Sequence, residues 1–289
     1  MKRLTAPVRK LLGIPGRIRS RRVIDHLCRA DDEALRSLGL ALKETIGGNT
    51  SPDEKAWIDG IESLRAELNS SCAEISIEDF GAGRPDDTFT DREMYEGNVI
   101  RKTVGEVCRS ASKSYIWSIL LFRLIRRFRP SVCLELGTCL GISASFQAAA
   151  LKLNGAGTLV TLEGAESLAG LAGDNIRSLS LDNTRVVVGR FQDTLGGVLD
   201  EYGHVDFAFI DGHHDENATV EYYRQILPFL SERALIVFDD IHWSAGMNRA
   251  WRAITADGKI KLSVDLRQIG ICVVDGSIDS RQSCSIAIE

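Results

Sequence analysis

The sequence predicts an α/β fold in which a mostly parallel sheet of seven strands carries helices on both faces. From about residue 100 onward, short apolar runs alternate with helical stretches, which is typical of βαβ units in a parallel sheet. Near the end, the runs 261–266 and 268–274 have almost no helix between them, which predicts an antiparallel hairpin at one edge. Apolar residues at three- and four-residue spacing over 23–70 predict an N-terminal helical extension.

Each element follows from its own pattern. Gly47, Gly48 and Ser51-Pro52 break the N-terminal extension into separate helices, and the polar residues 79–98 are expected to form a loop or lid. A helix is predicted from Val104 to Phe128, because Pro130 ends the pattern. Five apolar runs are predicted as strands: Val132–Leu136, Thr158–Leu162, Val186–Val188, Val205–Ile210 and Ala234–Phe238. We therefore divide the chain into residues 1–98, a basic arm with the helices and the loop, and 99–289, the core domain.

Charge and cysteine content narrow the functional classes. A net charge of −5 gives the chain as a whole no nucleic-acid footprint. The 7 cysteines form no CxxC pair, which favours a reducing, cytoplasmic location. The first 22 residues carry Lys and Arg but no acid before Asp25, and a solvated arm is the favoured interpretation. A transit peptide or a membrane-surface segment is the alternative.

A turn after the first core strand is the most informative segment. The strand delivers Glu135, then Gly137 and Gly141 open a helix at about Ile142. Glycines allow close approach of a ligand, and a helix start offers unpaired N–H groups. Glu163 ends the next strand, where an acid can accept hydrogen bonds from ribose hydroxyls. Either acid alone could be a surface residue, but together they predict a cofactor site.

Two other glycine patterns bear on the type of site. An NAD-dependent oxidoreductase would need the GxGxxG turn, which is absent. The run Asp79-Phe-Gly-Ala-Gly83 has glycines at a similar spacing, but Glu78-Asp79 interrupts any strand before it and Arg84-Pro85 follows where a helix should begin. We interpret it as a turn.

The segment Glu135-Leu-Gly-Thr-Cys-Leu-Gly-Ile-Ser-Ala144 closely resembles the cofactor motif of catechol O-methyltransferase-like enzymes. Residues from about 100 to 275 match that superfamily in order and spacing. The likeness is greatest to bacterial proteins of the methyltransferase domain 24 type, whose further motifs are found here at 121–124, 163–164, 210–214 and 238–244. The resemblance implies a Rossmann-like class I fold and S-adenosylmethionine as cofactor, bound by residues 99–289.

The resemblance also assigns cofactor residues. It implies that Gly137, Thr138 and Ser143 hold the methionine part of S-adenosylmethionine, alongside Glu135 and Gly141, and that Glu163 holds the ribose. Phe191 and Gln192 are expected near the adenine, and Asp211 near the cofactor.

A divalent metal site is expected at the strand tips. Asp211 follows the fourth strand and Asp239-Asp240 follow the fifth, and these strands are neighbours in this fold, so the three carboxylates can converge. Mg²⁺ would relieve their repulsion, although catechol-type enzymes have Asn where Asp240 stands. Alternatively, Asp239 or Asp240 caps the next helix.

His214 falls where the catechol enzyme has its catalytic lysine. We predict that it takes the proton from a substrate hydroxyl, with Asp211 as the second catalytic residue. His213 and His242 remain alternatives, and His214 could instead only shape the pocket.

The predicted function is metal-assisted O-methylation of a small-molecule hydroxyl group, such as that of a sugar, a catechol or another diol. A non-catalytic module that binds the cofactor or a membrane is the alternative. We also expect a homodimer, since residues 23–70 could either cover the core or pair with a second subunit.

Overall fold

The computed structural model describes residues 18–81 and 95–288, and most of the basic N-terminal arm lies outside these ranges. A helix over residues 18–28 leads into α1 (Glu33–Gly47) and α2 (Pro52–Ser70). The break predicted between them is confirmed: α1 ends at Gly48 in a left-handed conformation, and Ser51 caps α2 reciprocally with Glu54. No helix of the described part of the chain is long and apolar enough to cross a membrane.

The remaining elements alternate between strands and helices. They are β1 (Glu74–Asp79), β2 (Asn98–Thr103), α3 (Val104–Ala111), α4 (Tyr115–Phe128), β3 (Val132–Leu136), α5 (Ile142–Asn154), β4 (Thr158–Glu163), α6 (Glu166–Ser178), β5 (Thr184–Val188), α7 (Phe191–Tyr202), β6 (Val205–Ile210), α8 (Glu216–Ile226), a 3₁₀ turn (Leu227–Phe229), β7 (Leu230–Phe238), α9 (Ala245–Thr255), β8 (Leu262–Asp265), β9 (Gly270–Asp275) and β10 (Gln282–Ser285).

The main sheet has the strand order β10-β8-β9-β7-β6-β3-β4-β5. Strands β3 to β7 are parallel, whereas β9 pairs antiparallel with both β7 and β8, so the mostly parallel sheet and its terminal hairpin are confirmed. The count of seven strands needs correction, because β10 adds an eighth strand parallel to β8. Its four residues are polar apart from a cysteine, so it carries no apolar alternation that the sequence could signal.

Two further expectations are corrected near the start of the core. The described ends of the predicted 79–98 loop belong partly to strands, because β1 and β2 form a separate antiparallel pair from Glu74↔Thr103 to Asp79↔Asn98. The helix predicted from Val104 to Phe128 is two helices, α3 and α4, separated at residues 112–114. The break places Lys113 at the carboxyl edge of the sheet. The division at 98/99 falls at the start of β2.

Side chains alternate across the sheet and build a core on each face. On one face, Cys133, Leu159 and Phe207 pack with apolar residues of α1, α2, α4 and α5. On the other, Leu134 and Val160 pack with residues of α7, α8 and α9. The N-terminal helices therefore complete the core of this chain, which is one of the two roles predicted for residues 23–70.

A buried ion pair joins the N-terminal helices to the core. Glu54, at the start of α2, contacts Arg123 at 2.8 Å and Arg126 at 3.3 Å on α4. Burial alone would raise the pKa of Glu54, but the two arginines and the Ser51 backbone hold it below its usual value. Removing one partner of such a pair typically costs about 3–5 kcal/mol, so this contact fixes α2 against the domain.

Candidate active site

A cavity of about 510 Å³ opens at the carboxyl ends of β3, β4, β6 and β7. The strand order reverses between β3 and β6, since β4 and β5 extend the sheet in one direction and β7 in the other. Open α/β sheets bind ligands in the crevice at this switch point. The cavity is bounded at one end by the glycine turn after β3 and at the other by the tips of β6 and β7. We call these the cofactor end and the acceptor end.

Gly137 sets the distance between the two adjacent strand tips. Its φ of 105° is in the region that favours glycine, and a Cβ atom there would lie 2.0 Å from the carbonyl oxygen of Asp211. The peptide of Asp211 in turn donates to the Leu136 carbonyl at 2.9 Å. The glycine is therefore required by the close approach of the β3 and β6 tips.

Glu135 lies beneath the cofactor end and does not line the cavity. Strand alternation turns its side chain toward α5, where it is fully buried and accepts hydrogen bonds from Gln147 and Thr161, each at 2.6 Å. Thr161 is also 2.6 Å from the Thr138 hydroxyl. Burial raises the pKa of Glu135 to about 7, despite these hydrogen bonds. The carboxyl group thus supports the glycine turn from below.

Glu163 lies in the wall of the cavity, as its predicted ribose role requires. Its two carboxylate oxygens accept the backbone N–H groups of Cys139, at 2.7 Å, and Ala165, at 3.0 Å. Burial raises its pKa, and the backbone hydrogen bonds oppose that shift. A carboxylate has about four acceptor sites, so capacity remains for ligand hydroxyls.

The other predicted cofactor residues are divided between the cavity wall and its support. Phe191 lines the cavity and packs on Gly212, where a Cβ atom would lie 2.5 Å from its ring. Gly141, at φ 81°, begins α5. Neither it nor the buried Thr138 and Ser143 is in the cavity lining, and Gln192 is exposed at the second position of α7.

Lys113 dominates the acceptor end, although no sequence pattern pointed to it. Its ammonium group lies 2.9 Å from Asp211 Oδ2 and also contacts Asp239 Oδ2. Only 8% of Lys113 and 2% of Asp239 are exposed. Burial alone would lower the pKa of Lys113, but the two carboxylates outweigh it and raise the pKa. The lysine remains charged and compensates the buried acids.

The two acids respond differently to this shared environment. For Asp211, burial is outweighed by Lys113 and His214, so its pKa is lowered. For Asp239, burial and the neighbouring Asp211 together raise the pKa well above its usual value. Asp239 Oδ1 meets no hydrogen-bond donor among the described residues. The cavity therefore contains a buried acceptor atom for a ligand.

The predicted trio of metal-binding carboxylates is only partly brought together. Asp211, His214 and Asp239 offer atoms within 4.8 Å of one another, whereas Asp240 is in the cavity wall outside this group. Lys113 already contacts both carboxylates of the group. A divalent ion bound there would have to displace a buried ammonium group, so the described arrangement does not fit Mg²⁺. The metal site remains a prediction.

The three candidate bases have different environments. His214 lines the cavity, and its Nε2 is 3.8 Å from Asp211 Oδ1. His213 also lines it, but burial lowers its pKa to about 4 and its Nδ1 is 2.9 Å from the Tyr222 hydroxyl. His242 lies outside the lining, between Asn248 at 2.6 Å and Asp265 at 2.8 Å.

Strained backbone marks the acceptor end. His213, His214 and Asp240 have φ values of 64°, 49° and 51°. Left-handed residues other than glycine are uncommon, and they cluster at functional sites. They aim the side chains after β6 and β7 into the cavity.

Further residues of the cavity wall carried no sequence signal. They include Phe80 and Asp79 at the end of β1, Cys139, Trp243 and Gln268. The run 79–83 was predicted as a turn, and Gly81 N–H does donate to the Asp79 side chain at 2.9 Å. Phe80 packs against Gly164, beside Glu163. The second sheet thereby contributes to the cofactor end.

Comparison with known proteins identifies this architecture. Residues 134–241 match a family model described as a methyltransferase domain. Among solved structures, the chain is similar to an O-methyltransferase from Bacillus cereus in complex with SAH, at 25% identity and a TM-score of 0.50, over 57% of this chain and 84% of that one. No curated protein matches the chain.

Two other structures share the fold. An SAH-bound methyltransferase from Podospora anserina is 17% identical, with a TM-score of 0.51, over 57% of this chain and 80% of that one. A Klebsiella pneumoniae protein described as an O-methyltransferase is 17% identical, with a TM-score of 0.50, over 90% of this chain and 99% of that one.

The fold, with its cavity at the switch point, is that of a class I methyltransferase. Within this class, the chain belongs to the S-adenosylmethionine-dependent enzymes that carry the methyltransferase domain matched at residues 134–241.

Proposed function

We propose that the chain transfers a methyl group from S-adenosylmethionine to a hydroxyl oxygen of a small molecule. The observation that carries this proposal is the single cavity that joins Gly137 and Glu163 to Asp211 and His214. The similarity to an O-methyltransferase in complex with SAH supports oxygen as the accepting atom.

The two ends of the cavity divide the work. Glu163 would accept hydrogen bonds from the ribose, Phe191 would pack near the adenine, and the turn at Gly137 would leave room for the methionine part. S-adenosylmethionine supplies the activated methyl group on its sulfonium. The hydroxyl oxygen forms the new C–O bond as the C–S bond breaks, and sulfur keeps the electron pair. The protein contributes mainly positioning and exclusion of water.

His214 is proposed to accept the hydroxyl proton. It is 29% exposed, faces the cavity and has Asp211 close enough to stabilise an imidazolium. His213 is the weaker candidate, because Tyr222 occupies its Nδ1 and burial lowers its pKa to about 4.

The acceptor class and metal assistance are finer points. The charged acceptor end suits a polar hydroxyl compound, such as a sugar or another diol. Metal-assisted methylation is the second candidate, favoured by the convergence of Asp211, His214 and Asp239. It would require the two carboxylates to be free of Lys113.

Isothermal titration tests the proposed function. Wild type is expected to bind S-adenosylmethionine and S-adenosylhomocysteine, and Glu163→Gln to bind them about tenfold more weakly, because hydrogen bonds to a charged acceptor contribute about 1.5–3 kcal/mol. The exposed Glu166→Gln is the matched control. Absence of binding to wild type would refute the proposal.

A further inference from the structure

We propose that Lys113 is the fixed cation of the acceptor end: its ammonium group holds the position between Asp211 and Asp239 that a divalent ion would need, so methyl transfer proceeds without a bound metal. This inference rests on the proposed function. It concerns the two carboxylates at the neighbouring tips of β6 and β7.

The charge at the acceptor end is already compensated. Asp211 and Asp239 are adjacent buried acids, and two such carboxylates repel unless a cation lies between them. Lys113 contacts both, at 2.9 Å from Asp211 and within hydrogen-bonding distance of Asp239. An ammonium group has three donors, so one remains after these two contacts.

The position of Lys113 is built into the fold. The residue lies in the short break between α3 and α4, and its own carbonyl accepts a 2.6 Å hydrogen bond from Arg65 on α2. Ser118 also donates to that carbonyl, at 3.3 Å. The backbone of Lys113 is thereby tied to both the N-terminal helices and α4, and a lysine held in this way is not a mobile surface charge.

The same group is suited to bind the acceptor molecule. Lys113 and Asp239 both line the cavity, and Asp239 Oδ1 meets no donor among the described residues. The third ammonium N–H would donate to one oxygen of the acceptor, while Asp239 Oδ1 would accept from a neighbouring hydroxyl. The pair therefore recognises adjacent hydroxyl groups, which is the chemistry of a diol, through hydrogen bonds rather than through a metal.

Electron paramagnetic resonance of Mn²⁺ tests the inference without an acceptor molecule. Wild type is expected to bind Mn²⁺ no more tightly than about millimolar, as weak exposed sites do. Lys113→Ala leaves two uncompensated carboxylates beside His214, and it is expected to bind Mn²⁺ at least about tenfold more tightly. Lys102→Ala, an exposed lysine on β2, should behave like wild type.

Each outcome is decisive. Tight binding of one Mn²⁺ by wild type would overturn the inference, and so would equal binding, or no binding, by wild type and Lys113→Ala. If the variant does not fold, the wild-type titration still decides whether a metal occupies the site. With an acceptor from a diol screen, wild-type turnover should survive chelation, whereas Lys113→Ala should lose about 100-fold in kcat.

The proposed function can fail separately. Titration of S-adenosylmethionine on the same wild-type sample reports the cofactor end, which Lys113 does not touch. A protein that binds no cofactor would refute methyl transfer, whereas one that binds both cofactor and metal would refute only the role of Lys113.

Discussion

The two ends of the cavity are built in different ways. The cofactor end comes mainly from two short segments, the turn after β3 and the end of β4, in which neighbouring residues act together. The acceptor end is assembled from Lys113, Asp211 and Asp239, which follow three different elements, and Lys113 is 126 residues from Asp239. Backbone conformation organises the first end, and buried charge organises the second.

This difference has a functional consequence. At the cofactor end, Gly137 has no side chain and Glu163 binds backbone groups, so the ligand site depends on how closely two strands approach. At the acceptor end, a few side chains set both the charge and the hydrogen-bonding capacity. We therefore expect changes at the cofactor end to affect ligand affinity, and changes at the acceptor end to affect turnover.

Gly137→Ala should have the largest effect. Its Cβ atom would lie 2.0 Å from the Asp211 carbonyl oxygen, and φ is 105°, so the strand tips must separate. Titration of S-adenosylmethionine is expected to show at least about 100-fold weaker binding, and thermal unfolding a loss of several kcal/mol, of order 3–5 as for other core overpacking and strain.

Gly155→Ala is the matched control for this change. Gly155 also has a positive φ, 77°, but a Cβ atom at this position would have no neighbour within 4 Å. It should lose only the conformational cost of about 1–2 kcal/mol and keep cofactor affinity. Equal losses of affinity in both variants would show that the approach of the two strand tips is not what matters.

His214→Ala should leave cofactor affinity unchanged and reduce kcat by about 1000-fold, the size expected for loss of a general base. The measurement is turnover across pH 6–9 with the acceptor found by screening, beside titration of S-adenosylmethionine. His204→Ala, at the opposite end of β6, is the control. Near-normal turnover of His214→Ala over this range would assign the proton transfer elsewhere and weaken the contrast between the two ends.

Glu135→Gln should have the smallest effect, and it should depend on pH. Burial raises the pKa of Glu135 from 4.5 to about 7, so the folded chain holds this proton more tightly than the unfolded chain does. Wild-type stability should therefore fall as pH rises from about 4.5 to 7 and then level off, by no more than about 3 kcal/mol.

Denaturant unfolding of wild type and Glu135→Gln at pH 5 and pH 8 measures this effect. The glutamine variant cannot ionise, so the difference between the two pH values should be smaller in it than in wild type. Equal pH dependence in both proteins would mean that Glu135 does not titrate in this interval.

Much of the fold could be predicted because its signals are local. Apolar runs of strand length, the break at Gly47–Ser51 and the terminal hairpin all appeared where the chain pattern put them. Strand β10 and the β1–β2 pair were missed, since polar strands at an edge have no apolar periodicity. The break between α3 and α4 was also missed, because residues 112–114 contain neither Gly nor Pro.

For the site, the sequence by itself determined the glycine turn, Glu163 and the acids after β6 and β7, because these residues follow directly from strand ends that parallel pairing brings to one edge. Only the tertiary structure decided what lies between Asp211 and Asp239. Lys113 reaches them through the packing of α3 and α4 against the sheet, a contact between residues far apart in the chain that no local pattern encodes. Likewise, strand alternation turned Glu135 toward α5, so an acid beside the glycine turn supports the site from beneath.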